Sequence, residues 1–113
     1  MIARTWRGAT RAADATAYAA YIEATGLHGF AATPGNLGAL VLQRPLEGKE
    51  TETTEVVVIS FWDSMEAVSR FAGRDATRAV FYPEDDRYLV RRDLTVDHFD
   101  VVARLDAPVT ATP

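Results

Sequence analysis

The spacing of apolar residues along this chain alternates between the period of a strand and the period of a helix, and the alternation lays out one domain. Ile2 to Arg7 is β-compatible and Gly8 followed by Thr10 stops it, which predicts a short first strand. From Ala12 to Thr25 the period becomes helical. Tyr18, Tyr21, Ile22 and Thr25 stand at i, i+3, i+4 and i+7 of an alanine-rich segment, and Gly26 supplies a residue able to end it in the left-handed conformation. Phe30 to Thr33 fits neither period. Pro34-Gly35-Asn36 is a turn, because proline presets the first central φ and Gly or Asn accepts a positive φ at the next position.

Leu37 to Arg44 reads as the second strand, Pro45 to Glu50 with its Gly48 as a polar reversal, and Glu52 to Trp62 as the third strand. The run from Val56 to Trp62 is too continuously apolar and β-branched for either of its faces to meet water. Asp63 with Glu66 three residues on predicts a capping box. The helix it opens runs to about Ala72, carries Met65, Val68, Phe71 and Ala72 on one face, and stops at Gly73. Asp75 caps a further short helix through Phe81 that Pro83 ends, and Glu84-Asp85-Asp86 is the acidic first turn of another. Thr95 to Leu105 alternates as the final strand.

The order β, α, β, β, α(α), β predicts an α+β fold, a split βαβ arrangement of four antiparallel strands with helices on one face. Those helices leave the other face of the third strand bare, and a second copy of the sheet is the economical cover, so a homodimer is predicted. The C-terminal tail is the other available cover. Residues 1–105 make the single domain, and Asp106 to Pro113, aperiodic in Ala, Pro, Thr and Val, make the tail.

Composition narrows the function. The chain has 113 residues, a net charge of −4 and no cysteine. The missing thiols remove disulfides, cysteine nucleophiles and Cys-type metal sites, and the acidic balance disfavours nucleic acid as a partner. No apolar run approaches the ~18 residues of a membrane span, and Met1-Ile2-Ala3-Arg4 opens no signal-peptide core, so a cytoplasmic protein without a membrane partner is expected.

Gly-rich phosphate loops, nucleophile elbows and His-Glu-x-x-His are all missing. No metal site is expected either, since His28 and His98 lie on distant segments and Asp97 points away from His98 across a strand. His98 stands mid-strand, as a base or donor near neutral pH or as a histidine bonding across the sheet, with Asp100 two residues on along the same face. Arg4 and Trp6 share a face of the first strand. A buried Arg4 needs an anionic or hydrogen-bonding partner, Asp100 or a ligand carboxylate, unless it packs its stem along the tryptophan at the rim. Trp62 and Tyr82, near strand and helix ends, serve equally as pocket wall or as core. Tyr18 and Tyr21 can project a hydroxyl into a cavity under the sheet. Arg87, Arg91 and Arg92 read as a solvated rim or as ion pairs with Glu84 to Asp86.

Ile2-Ala3-Arg4-Thr5-Trp6-Arg7-Gly8, Pro34-Gly35-Asn36-Leu37-Gly38, Ser60-Phe61-Trp62-Asp63-Ser64 leading to Phe71-Ala72-Gly73, Tyr82-Pro83-Glu84-Asp85 and Asp97-His98-Phe99-Asp100-Val101 together resemble the antibiotic biosynthesis monooxygenase-like proteins of the dimeric α/β-barrel superfamily. The resemblance covers residues 1–105. It implies a ferredoxin-like βαββαβ protomer whose sheet joins its twin's in a barrel, with a pocket between sheet and helices. Cofactor-free monooxygenases of the family oxidise electron-rich polycyclic phenols or anthrones with molecular oxygen. Its haem-degrading branch uses an Asn in the first strand, a Trp in the helix after the third strand and a His beyond it. This chain shows Trp6 and Arg7, Phe71, and the neighbourhood of Phe81 at those places, so haem is not expected, and its one asparagine, Asn36, lies in a turn.

The resulting expectation is a cofactor-independent monooxygenase-like enzyme with oxygen as co-substrate, acting on a small, weakly acidic, electron-rich aromatic of the phenol, anthrone or quinol type. Trp6, Trp62, Phe71 and Tyr82 would line the site, His98 would accept a proton and Arg4 would stabilise the anion. The alternatives are a non-catalytic homodimer that binds or senses a small molecule, and an accessory subunit of a biosynthetic assembly.

Overall fold

A computed structural model describes residues 1–48 and 52–106 of the chain. Strand β1 (Ile2–Arg11) is the spine of an antiparallel sheet. It pairs with β3 (Thr53–Trp62) over its whole length, from Ile2 opposite Trp62 to Arg11 opposite Thr53. β2 (Asn36–Leu46) forms the edge beyond β3. Two short strands share the other side of β1: β4 (Leu89–Arg92) beside Gly8 to Thr10, and β5 (Asp97–Asp100) beside Ile2 to Thr5. The order β2-β3-β1-β4, with β5 continuing the β4 edge, is that of a ferredoxin-like protomer.

Because side chains alternate along a strand, the register sorts the sheet into two faces. Arg4, Trp6, Val41, Val56, Val58, Ser60 and Trp62 point toward the helices. Residues 12–31 form one helical arm over that face: a single 3₁₀ turn, α1 (Ala15–Ile22), a π turn over Glu23–Leu27, and α2 (His28–Ala31). α3 (Met65–Ala72) lies beside it. Two cores result. Phe30, Trp62, Ala67 and Val68 close one, while Tyr18, Ile22 and Val56 close the other.

Several predicted boundaries move, each for a tertiary reason. β1 runs past Gly8 to Arg11 because Gly8 to Thr10 find ladder partners on both sides, in β3 and β4. Gly26 does not end the first helix; it sits inside the π turn, which carries the arm on to Ala31. The helix expected from Asp75 to Phe81 is not formed. Asp75 caps only a single turn, closed by Arg78 N–H on Asp75 O at 3.2 Å, and Ala79 N–H and Thr77 O bond to Leu94 O and Val96 N–H instead of continuing a helix. The cap of α3 is Ser64, whose hydroxyl accepts from Ala67 N–H at 3.2 Å, rather than Asp63. α4 (Asp85–Tyr88) follows the acidic run as expected, but β4, directly after it, was hidden among charges. The last strand is confined to Asp97–Asp100, and Val102 and Leu105 beyond it are fully exposed. The turn at Gly35 and the stop at Gly73 have the positive φ expected, +94° and +86°. Part of the Pro45 to Glu50 reversal and the tail after Asp106 lie outside the described residues.

The second face of the sheet carries Leu40, Leu42, Val57, Ile59, Phe61 and Phe99, and no described segment covers it. Leu40, Leu42 and Phe99 are about half exposed, at 52%, 46% and 57%. The one buried charge on this side, Glu55, is ringed by Arg44, Arg7 and Arg91 at 2.8, 3.8 and 3.9 Å, and they hold its carboxyl below the usual range. No described helix is long and apolar enough to cross a membrane, and no described group of His, Asp and Glu side chains could hold a metal ion.

Candidate functional site

Between the inner sheet face and the helical arm lies a half-open cavity of about 70 Å³. Its wall is aromatic and aliphatic, with Trp6, Phe30, Val58, Phe71, Phe81 and Tyr82 the main contributors. The helical arm adds Thr25 and Gly26 from its π turn. Such turns widen a helix by one residue and free it from its regular ladder, which is why they are frequent at functional sites.

Each aromatic is held from behind. The Trp6 indole donates to Asp93 O at 2.8 Å and meets the Phe81 ring edge-on, with 6.2 Å between centroids. It lies across Gly8, where a Cβ would come within 2.6 Å of the ring. Phe71 packs on Phe30 and Trp62 at 4.8 and 5.7 Å. The Tyr82 hydroxyl passes over Gly29, leaving only 2.9 Å for a Cβ there. The Arg92 guanidinium stacks on the Phe81 ring at 4.7 Å and reaches Asp86 at 2.6 Å.

Two ionisable side chains of opposite charge face this wall, Arg4 and Asp85, each only 5% exposed. Arg4 Nη1 donates to Ala76 O at 2.5 Å and to His98 Nε2 at 3.0 Å, while Nη2 donates to Arg78 O at 2.9 Å. No carboxylate pairs with it among the described residues, and Asp100, expected as a partner, is not one. Burial lowers its pKa from 12.5 to about 10, so the guanidinium stays charged at neutral pH. Because arginine can only donate, His98 accepts at Nε2 and carries its proton on Nδ1. Burial, and then the Arg4 charge, hold the imidazole below its ordinary range against a smaller opposing pull from Asp97.

Asp85 Oδ1 accepts from the Tyr18 hydroxyl at 2.9 Å, and Oδ2 accepts from Tyr82 N–H at 2.6 Å. The second bond spans the turn before α4, which Asp85 N–H also closes on Tyr82 O at 3.0 Å, so the carboxylate is fixed by its own turn and tied to α1 by the phenol. Burial, reinforced by the Asp85 charge and hydrogen bond, raises the Tyr18 pKa well above the usual phenol range. Tyr82 is also raised, by burial and then by Asp85 and Tyr21.

Of the residues expected at a site, Arg4, Trp6, Phe71 and Tyr82 line one cavity. His98 stands behind Arg4 and touches it rather than the cavity. Trp62 is fully buried beneath Phe30 and Phe71, with its indole N–H on Ser60 Oγ at 2.8 Å, and takes no share of the wall. Asp85 and Phe81 were not anticipated. Asp85 sits in a run of three acids that reads as a solvated helix start, and only the fold separates it, buried, from the exposed Asp86.

No protein-family profile and no curated protein matches the chain. Solved structures do. A Bacillus cereus protein, provisionally described as an antibiotic biosynthesis monooxygenase, superposes with a TM-score of 0.63 at 16% identity, over 94% of this chain and 97% of that one. The heme degrader MhuD of Mycobacterium tuberculosis, with two hemes in its active site, matches at 0.55 and 23% identity, over 94% of this chain and all of that one. An MhuD arginine-to-serine variant, with two manganese protoporphyrin IX molecules per active site, matches at 0.57 and 23% identity, covering 95% of this chain and 100% of the other.

The fold is that of the antibiotic biosynthesis monooxygenases. At these identities the likeness reaches the backbone and stops short of the site. The residues present do not fit a haem. Among the described residues the cavity wall has no histidine or methionine to ligate iron, the raised pKa values of Tyr18 and Tyr82 oppose a tyrosinate ligand, and His98 Nε2 is occupied by a cation.

Proposed function

We propose that the protein is a homodimeric, cofactor-independent oxygenase that binds a small electron-rich aromatic as its anion against Arg4. The observation that carries this reading is a guanidinium buried in an aromatic wall with no carboxylate paired to it among the described residues. A buried cation without a counter-ion favours the ionised form of whatever acidic ligand enters, so a substrate hydroxyl beside Arg4 loses its proton more readily than in water. Ionisation raises ring electron density, and the electron-rich ring reacts with molecular oxygen. For a simple phenol the balance is phenol plus O₂ to para-quinone plus water. One oxygen atom joins the ring, the other leaves as water, and the substrate supplies all four electrons. Trp6, Phe71 and Tyr82 orient the ring and exclude water. His98 acts through Arg4 as a positioning residue, since its Nε2 fixes one Nη1 hydrogen.

Size limits the ligand to one ring at most, part of which stays in the mouth. An apolar cavity of about 150 Å³ takes one benzene, and this one has about 70 Å³ with an open mouth. A tricyclic substrate does not fit unless the arm moves. The dimer is supported by the bare apolar sheet face, whose Leu40, Leu42, Val57, Ile59 and Phe61 match the inner surface of a barrel closed by a second sheet.

The test is oxygen uptake with product mass analysis on metal-free protein given single-ring phenols. Product heavier by one oxygen and lighter by two hydrogens, lost in Arg4→Gln, supports the reading. Saturable binding with no uptake transfers the protein to the second reading, a non-catalytic ligand-binding dimer. That reading is favoured by His98, the expected base, standing outside the cavity wall.

A further inference from the structure

Arg4 and Asp85 are opposite charges on one cavity wall, both buried, and neither forms an ion pair with the other or with a third group among the described residues. Each also has unused bonding capacity. A guanidinium carries five N–H donors, and the three bonds to Ala76 O, Arg78 O and His98 Nε2 leave the Nε hydrogen and one Nη2 hydrogen. A carboxylate offers about four lone-pair sites, and Tyr18 and Tyr82 N–H use one on each oxygen of Asp85. The complement of this wall is a ligand with an acceptor pair at one point and a hydrogen-bond donor at another, joined by a flat apolar body.

We propose that the ligand is a single-ring aromatic carboxylate bearing a hydroxyl group, of the hydroxybenzoate class, with the carboxylate on Arg4 and the hydroxyl donating to Asp85. This rests on the reading of the cavity as an aromatic anion site and names the anion as a carboxylate, so that in this ligand class the ring hydroxyl is directed at Asp85 and not at Arg4, where a carboxyl-free phenol would ionise. Two free guanidinium hydrogens are matched by the two oxygens of a carboxylate, whereas a phenolate brings one. A second anionic group is repelled by Asp85, and an ether leaves that carboxylate facing carbon. Both outcomes select a neutral hydroxyl at that end. Tyr18 tunes the acceptor, because its hydroxyl occupies one of the Asp85 lone pairs.

The experiment is calorimetric titration of the full chain with 3- and 4-hydroxybenzoate, 4-methoxybenzoate and phenol. It is run beside Asp85→Asn and Tyr18→Phe variants whose folding is checked by circular dichroism. In the wild type the better hydroxybenzoate is expected to bind at least 10-fold more tightly than both the ether and phenol. Asp85→Asn is expected to bring hydroxybenzoate and ether within about 3-fold of each other, by losing the charge on the acceptor. Tyr18→Phe keeps the preference, since it frees a lone pair on Asp85. Equal binding of hydroxybenzoate and ether by the wild type overturns the proposal, as does a preference for hydroxybenzoate that survives undiminished in Asp85→Asn. Phenol binding with no carboxylate binding overturns this proposal and leaves the aromatic anion site standing. Failure of every aromatic to bind removes both.

Discussion

Replacing Arg4 with methionine keeps most of the apolar stem of the side chain and deletes the guanidinium, so it isolates what that group does for the fold. Segment 75–81 opens with a turn, and Arg4 is the donor for two of its carbonyls, Ala76 O and Arg78 O. A third bond holds His98 on β5. Leaving a buried acceptor without a donor costs about 1–3 kcal/mol each. The two carbonyls and the imidazole are only partly buried, which argues for the lower end, about 3–4 kcal/mol together before offsets. Removing a desolvated charge returns about a third of that, in the direction shown by the lowered Arg4 pKa, so a net loss of about 2–3 kcal/mol is expected. With a urea m-value of about 1.5 kcal/mol/M for a domain of this size, the unfolding midpoint falls by about 1.3–2 M at unchanged m. Urea titrations followed by tryptophan fluorescence measure it. A double-mutant cycle with His98→Ala then separates the shared bond from the carbonyl anchors. A midpoint equal to or above wild type would refute the reasoning, because it would mean that the guanidinium costs the fold as much as its bonds return.

Ile59→Glu places a charge in the middle of the bare sheet face, between Thr5 and Leu40 in register. It is expected to convert a dimer to a folded monomer, halving the mass seen by sedimentation; an unchanged mass would show that this face is not the interface. The lowered His98 pKa makes stability pH-dependent with a definite sign. Between the folded pKa and the unfolded value near 6.5, the unfolded chain binds the extra proton, so the contribution is complete above about pH 6.5 and is lost as the pH falls to the folded pKa. Urea midpoints from pH 7.5 to 5 should drop more steeply for wild type than for His98→Gln, and parallel profiles would count against the Arg4–His98 contact.

Much of the architecture is legible in the order of residues. The helical period at Tyr18, Tyr21 and Ile22, the turn at Gly35, the stop at Gly73 and the doubly apolar run Val56 to Trp62 each follow from local spacing and from the φ that glycine tolerates. A motif resemblance read from the same residues agrees with the fold shared with the matched structures. Alternation also put Arg4 and Trp6 on one strand face, and both do line the cavity.

What the chain order leaves open is decided by partners distant along it. The segment 75–81 has helical signals but forms only one turn, because backbone groups of Thr77 and Ala79 are taken by Val96 and Leu94 and the carbonyls of Ala76 and Arg78 by Arg4, 72 and 74 residues away. Trp62 and Phe71 look alike as pocket aromatics, but one is covered by Phe30 and the other is left at the wall. Asp85 and Asp86 are neighbours of the same kind. Only docking of α1 buries one of them under Tyr18 and leaves the other in water. Local propensity and spacing act within a few residues and so determine elements and faces, whereas burial and charge pairing are properties of the packed chain. Those properties place a buried cation and a buried carboxylate, hydrogen-bonded but without an ion pair among the described residues, on one aromatic wall.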